Sequence, residues 1–263
     1  MHCVTCGAIR YYQFDGLRQW SLPHAVFTRL GGVSEGPWAS LNFGLSTGDD
    51  PDRVHENTRR ACATLGLRPE RVASSWMEHG NRVRLVRAED LRQPNHNQVC
   101  ADALITAERG LALSLRFADC LPVLLFDPSQ GAIGIAHAGW RGIVNGVLGE
   151  TIRAMQRAFG SRPSDMIAGI GPGIGPQRFT VGAEVAGQIQ QAAPEALAVW
   201  PPDAACPQPR VDLWRAAVCQ LQQAGVKEVE VMRVCTASNT DEWFSHRAEG
   251  GRTGRFGVVI ALD

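Results

Sequence analysis

Residues 118–142 constrain this chain more than any other stretch. Two apolar runs, Pro122 to Phe126 and Ala132 to His137, flank Pro128, Ser129 and Gly131, which together make a turn. Ala118-Asp119-Cys120-Leu121-Pro122 opens the first run. Ala136-His137-Ala138-Gly139-Trp140-Arg141-Gly142 closes the second. A hairpin or tight crossover here carries Cys120 and His137 to the same edge of a sheet. His79, upstream in Glu78-His79-Gly80-Asn81, is a third candidate. Two imidazoles and a thiolate suit a zinc ion with one coordination position left open.

The rest of the chain fits a globular protein. At 263 residues, 44% hydrophobic and 20% charged, it can bury a substantial core. Acidic and basic residues balance at 26 each, so no broad nucleic-acid surface is expected. No run is apolar enough to cross a bilayer, and the N-terminus lacks a secretory pattern. Eight scattered cysteines then read as reduced thiols of a cytoplasmic protein. Cys3 and Cys6 form a CxxC pair without a second pair at ribbon spacing, as expected of a loose terminus. A homodimer is the assembly considered; no nucleic acid or membrane partner is.

Patterning predicts an α+β fold: a single layered domain over 1–263, a mixed sheet with packed helices, and residues 1–20 at its periphery. His24 to Thr28 reads as a strand. A helix opens at Asp50-Pro51, with Val54, Thr58, Ala61 and Leu65 on one face and Gly66 as its stop. Short strands follow at Val83 to Val86, Ala103 to Thr106 and Leu111 to Leu115. One long helix is expected from Gly142 to Phe159, stopped by Gly160. Met166 to Ile170, Val229 to Val234 and Phe256 to Leu262 read as strands, and Ala183 to Ala193 and Asp212 to Ala224 as helices. The stretch 201–209 is the most loop-like.

Each site candidate has a plain alternative. Cys120 could be a small buried hydrophobe, although Asp119 and Pro122 are odd neighbours for a segment that only fills a core. His137 could be a satisfied core histidine. Arg141, beside a helix start, could bind an anion or pair with a surface carboxylate. The glycine-rich run at 169–175 fits neither GxGxxG nor a Walker loop. Arginines around Phe244-Ser245-His246-Arg247 and Arg252-Thr253-Gly254-Arg255 could hold phosphate or belong to a solvated loop.

Taken together, these motifs resemble the YfiH-type family, also described as laccase-domain or polyphenol-oxidase-like proteins. The resemblance spans nearly all of the chain. It runs through Thr28-Arg29-Leu30-Gly31-Gly32, Ser40-Leu41-Asn42-Phe43-Gly44, His79-Gly80-Asn81-Arg82-Val83 and Ala101-Asp102-Ala103-Leu104. It continues through the Cys120 and His137 motifs to Gly171-Pro172-Gly173-Ile174-Gly175, Cys235-Thr236 and Thr253-Gly254-Arg255. It implies a zinc-dependent purine nucleoside phosphorylase acting on inosine, guanosine, adenosine and methylthioadenosine, with adenosine deaminase activity. It implies one zinc per chain on His79, Cys120 and His137. Asp119 joins these three as a catalytic candidate, with Glu78 as its rival for moving a proton. Asn42, Arg141, Arg247 and Arg255 are the substrate-binding candidates, for a purine nucleoside and phosphate. The chain departs from the family pattern at Met77-Glu78, at Gly173, and at His246, where a tyrosine is common after the serine.

Three rival readings remain. One is a copper-dependent polyphenol oxidase, weakened by seven histidines without a His-x-His pair. Another is a Cys-His amidase-like hydrolase editing peptidoglycan precursors, with Cys120 as nucleophile and His137 as base. The third binds nucleotides without turnover.

Overall fold

The hairpin expected over residues 121–138 forms, and the fold is built around it. The computed structural model describes residues 1–93, 95–196, 198–203 and 206–263. Among these, the first strands are β1 (His2–Cys6), β2 (Ile9–Gln13), β3 (His24–Phe27), β4 (Val72–Ala73), β5 (Val83–Leu85), β6 (Ala103–Thr106) and β7 (Ala112–Phe117). They are followed by β8 (Leu121–Asp127), β9 (Ala132–Ala138), β10 (Ile167–Ile170), β11 (Val199–Trp200), β12 (Arg210–Val211), β13 (Glu228–Val231) and β14 (Phe256–Ala261). The helices are α1 (Asp15–Arg18), α2 (Pro51–Thr64), α3 (Trp140–Val144), α4 (Val147–Phe159), α5 (Ala183–Ala192) and α6 (Leu213–Gln223). One six-stranded sheet has the order β1-β2-β3-β14-β7-β4 and a second has β13-β10-β8-β9-β6-β5; β11 and β12 make a small ribbon.

β8 and β9 pair antiparallel, with Leu121 opposite Ala138 and Asp127 opposite Ala132. Both are buried along their whole length, so their sequences read as near-continuous apolar runs. Period two still sorts their faces. Leu121, Val123, Leu125, Ala132, Ala136 and Ala138 pack with residues of α3, α4, α5 and α6. Leu124, Phe126, Ile133 and Ile135 meet Leu113, Leu115, Val258 and Ile260 of the first sheet. The other face of that sheet, with Ala25, Phe27 and Val259, packs on Ala61 and Cys62 of α2. The chain is therefore one compact α+β domain of four layers: α2, sheet, sheet, and α3 to α6.

Where a single mixed sheet was expected, two are stacked. β14, β8 and β9 are apolar on both faces; stacking the sheets covers their inner faces, and the helices cover the outer ones. The expected long helix from Gly142 to Phe159 is two helices. Its first part starts earlier, at Trp140, and Gly146 breaks it with φ +72°, a left-handed turn that glycine adopts without steric cost. α2 matches expectation, with the Asp50 side chain accepting the Asp52 N–H at its N-cap. The last predicted strand but one stops at Val231. In the stretch 201–209, positions 204 and 205 lie outside the described residues.

Residues 1–20, read as peripheral, supply β1, β2 and the core side chains Phe14 and Leu17, exposed by 1% and 0%. Cys3 and Cys6 lie three apart on β1 and are exposed. Strand geometry sends their side chains to opposite faces, so this CxxC pair has no shared metal.

Candidate metal centre

Cys120 sits where the chain changes sheets. β7 ends at Phe117 in the first sheet, Ala118 to Cys120 cross over, and β8 begins at Leu121 in the second. Even positions of β8 and odd positions of β9 face the layer between the sheets, by the packing just described. Pro122 pairs with His137, so Cys120 and His137 project into that layer side by side. The His137 ring lies 5.6 Å from that of Phe117 across the gap.

His79 reaches the same point from the loop between β4 and β5, with its backbone at φ +60°. Asp102, which precedes β6 and is 1% exposed, folds this loop. Its Oδ1 accepts the His79 N–H at 2.9 Å, and its Oδ2 accepts Gly80 N–H at 2.8 Å and Glu78 N–H at 3.2 Å. Oδ1 is also 3.0 Å from His137 Nδ1. A carboxylate partner assigns the proton to Nδ1 and leaves Nε2 free to ligate. The two imidazoles meet edge to face, 4.9 Å apart at 77°.

The residues fit a metal ion. One ligand atom each from His79, Cys120 and His137 lies within 4.8 Å of the others. Zinc–nitrogen and zinc–sulfur bonds set ligand atoms about 3.5 Å apart, so modest contraction closes the group. Gly139 makes room for it: a Cβ there would stand 2.7 Å from Cys120 Sγ and 3.4 Å from His79 Cδ2. His79 is exposed and His137 buried, which leaves one side of the group open to solvent. Without metal, the thiol and imidazole charge each other. Burial pushes the Cys120 thiol up, but the His137 charge and hydrogen bonds from His137 and His79 outweigh it, leaving a value of about 6. Burial likewise opposes charge on His137, yet the thiolate and Asp102 raise it to about 9.

The group opens on a cavity of about 410 Å³. Trp76, Met77, Trp140, Ile174 and Phe179 form apolar walls, and Arg116, Arg247 and Arg255 supply positive charge. Arg116 donates to Ser74 Oγ at 3.1 Å and to the Ser75 carbonyl at 2.6 Å. Arg255 donates to the carbonyls of Thr253 and Gly254 at 3.0 and 2.8 Å. Neither guanidinium has a carboxylate within ion-pair distance among the described residues. Burial lowers the pKa of both, and Arg255 lowers that of Arg116 further. Arginine cannot shed its proton here, so two desolvated cations share one cavity.

The sequence candidates divide accordingly. Arg247 and Arg255 line the cavity, as does Asp119. Both Asp119 oxygens are occupied: Oδ1 accepts Thr236 Oγ1 and Ser245 Oγ, each at 2.7 Å, and Oδ2 accepts the Arg247 N–H at 2.7 Å. Glu78, its rival, is directed at Cys100. Asn42 is buried behind the cavity, where its Oδ1 accepts the Arg255 N–H at 2.8 Å. Arg141 is exposed, with its guanidinium 4.4 Å over the Trp140 ring, and is not among the lining residues. α3 begins one residue before Arg141, so the expected anion-binding helix start is occupied by Trp140.

Asp102, Arg116 and His246 were not singled out from sequence. Asp102 left a trace as an acid at the head of an apolar run, and Arg116 as a lone cation inside another. His246 had no signal beyond its departure from a motif.

The chain belongs to the family described as multi-copper polyphenol oxidoreductase laccase, whose family model matches residues 23–263. It is 38% identical over 242 residues to a purine nucleoside phosphorylase of Deinococcus radiodurans, spanning 92% of this chain and 90% of that protein. It is 34% identical over 250 residues to the purine nucleoside phosphorylase YfiH of Shigella flexneri, spanning 93% and 97%. The crystal structure of YlmD from Geobacillus stearothermophilus superposes with a TM-score of 0.90 at 33% identity, covering 98% of this chain and 97% of that one. The YfiH-type resemblance read from the motifs is borne out.

Proposed function

We propose that this chain is a zinc-dependent purine nucleoside phosphorylase that also deaminates adenosine. The observation that carries the reading is the cavity itself: a His-Cys-His group beside two half-buried arginines without carboxylate partners within ion-pair distance, under aromatic walls. The names of the relatives support the same class of reaction.

In phosphorolysis a phosphate oxygen bonds to the anomeric carbon as the bond to the purine nitrogen breaks. The bonding electrons leave with the purine, which takes up a proton. Arg116 and Arg255 hold the phosphate and keep its negative charge in place without a competing carboxylate. Trp76, Trp140 and Phe179 offer faces for the purine. Asp102 orients His79 and His137, and Asp119 fixes the segment that carries Arg247. When bound, the ion supplies Lewis acidity. Inosine, guanosine, adenosine and methylthioadenosine share the base and anomeric carbon that this arrangement addresses. The family description speaks of copper, which the same donors accept. Among the described residues only His79, Cys120 and His137 gather as a three-ligand group, which favours single-ion chemistry.

The test is phosphate-dependent release of base from inosine and adenosine, with the metal content of the same preparation measured. Zinc near one per chain, with turnover lost in Cys120→Ala, supports the reading. Unchanged turnover in that variant removes it.

One observation favours a second reading. Cys120, His137 and Asp102 line up as nucleophile, base and orienting carboxylate, as a thiol hydrolase requires. Such an enzyme keeps its activity in chelator; the phosphorylase loses it.

A further inference from the structure

We infer that His246 is a substrate-binding residue that contacts a hydroxyl of the nucleoside sugar. The inference rests on the phosphorylase reading and assigns the part of the cavity that this reading leaves without a role.

The lining sorts by chemistry. Arginines only donate and are always charged, which suits them to phosphate. The aromatic and aliphatic walls suit the purine. Thr236, Ser245 and Arg247 already take three of the roughly four acceptor positions of Asp119. A sugar hydroxyl both donates and accepts, and a side chain that can do either matches it. Outside the metal group, the lining side chains of that kind are Ser46 and His246. The His246 imidazole offers one donor and one acceptor nitrogen when neutral, and neither is bonded to another described residue.

Its placement is built rather than incidental. Asp119 grips the residues on either side of it, through Ser245 Oγ and the Arg247 N–H. Glu249 Oε2 accepts the Ser245 N–H at 2.9 Å and the Thr253 hydroxyl at 2.6 Å, which closes the loop from the other end. The His246 carbonyl accepts the Gly251 N–H at 2.8 Å. The ring rests on Gly251, where a Cβ would stand 3.3 Å from its Cε1. Asp119 is also the neighbour of Cys120, so the displayed imidazole is held in register with the metal group.

The experiment measures inosine binding by calorimetry, with kcat and KM, on the wild type, His246→Ala and His246→Gln. Inosine and its 2′-, 3′- and 5′-deoxy analogues are the probes. One uncharged hydrogen bond to the sugar predicts a roughly tenfold weaker inosine Kd in His246→Ala, partly restored in His246→Gln. In the wild type, one of the three deoxy analogues should lose about the same factor, and in His246→Ala that analogue should bind like inosine. Metal content and thermal midpoint should be unchanged. The inference is overturned if inosine does not bind, if its Kd in His246→Ala stays within about twofold of the wild type, or if every deoxy analogue loses the same factor in both proteins. A wild type that binds inosine but does not cleave it would remove the phosphorylase reading, while the Kd comparison would still decide the role of His246.

Discussion

Asp102 Oδ1 lies 3.0 Å from His137 Nδ1. The same carboxylate holds the backbone of residues 78–80, so one buried side chain orients two of the three proposed ligands. Asp102→Asn keeps the shape but turns an amide N–H toward groups that are themselves donors. Zinc affinity should fall about 10- to 100-fold, the usual cost of losing a partner behind a ligating histidine. Competition with a chromophoric chelator measures this, and an affinity equal to the wild type would show that Asp102 supports the loop without tuning the ligands.

Arg116 and Arg255 are desolvated cations whose hydrogen bonds go to a hydroxyl and carbonyls. A charged hydrogen bond to phosphate is worth about 1.5–3 kcal/mol. Arg116→Gln should therefore raise the KM for phosphate by about 10- to 100-fold, with a much smaller effect on the nucleoside. Its thermal midpoint should not drop, because the change removes a partly desolvated charge without a carboxylate partner. Arg141→Ala, on the exposed side of Trp140, should alter neither KM by more than about twofold. Equal phosphate KM values in Arg116→Gln and the wild type would place the anion elsewhere.

What could be read beforehand follows from range. The hairpin, the cap at Asp50 and the ligand trio are local patterns or strand-end residues, and each is visible in a few neighbouring positions. Arg116 is different. It stands in an apolar strand, and nothing nearby tells that Arg255 arrives next to it from the far end of the chain. Asp102 was not singled out because its partners, His79 and His137, are distant on both sides. Arg141 misled because the HAGWRG segment places Trp140, not the arginine, against the cavity. The break at Gly146 escaped because the apolar spacing of Ile143, Val147 and Ile152 continues across it. β1 escaped because it is exposed on both faces and so carries no alternation.

Gly139 tests the metal group by size alone. An added Cβ would stand 2.7 Å from Cys120 Sγ, in a segment held on one side by β9 and on the other by α3. Gly139→Ala should purify with far less than one metal ion per chain and a near-wild-type circular dichroism spectrum. Metal analysis of the purified variant decides the point: full occupancy would mean that the three ligands close without needing the space that glycine leaves.

His24 carries a pH dependence of stability that is separate from the metal group. It is fully buried; its Nδ1 bonds the Leu22 carbonyl at 2.8 Å, and its Nε2 accepts the Phe14 N–H at 2.8 Å. Burial lowers its pKa from the ordinary 6.5. Below pH 6.5 the unfolded chain therefore binds a proton that the folded chain resists, and stability falls with pH across that window. His24→Gln retains an acceptor for the Phe14 N–H but cannot titrate. Urea unfolding of both proteins between pH 7 and pH 5 should show a shallower loss in the variant, by at most about 1.4 kcal/mol per pH unit, the limit for one proton. Other titrating groups, including the metal ligands, are common to both chains and cancel in the difference. Parallel curves would mean that the folded protein accommodates protonated His24, which the Phe14 N–H pointing at Nε2 forbids.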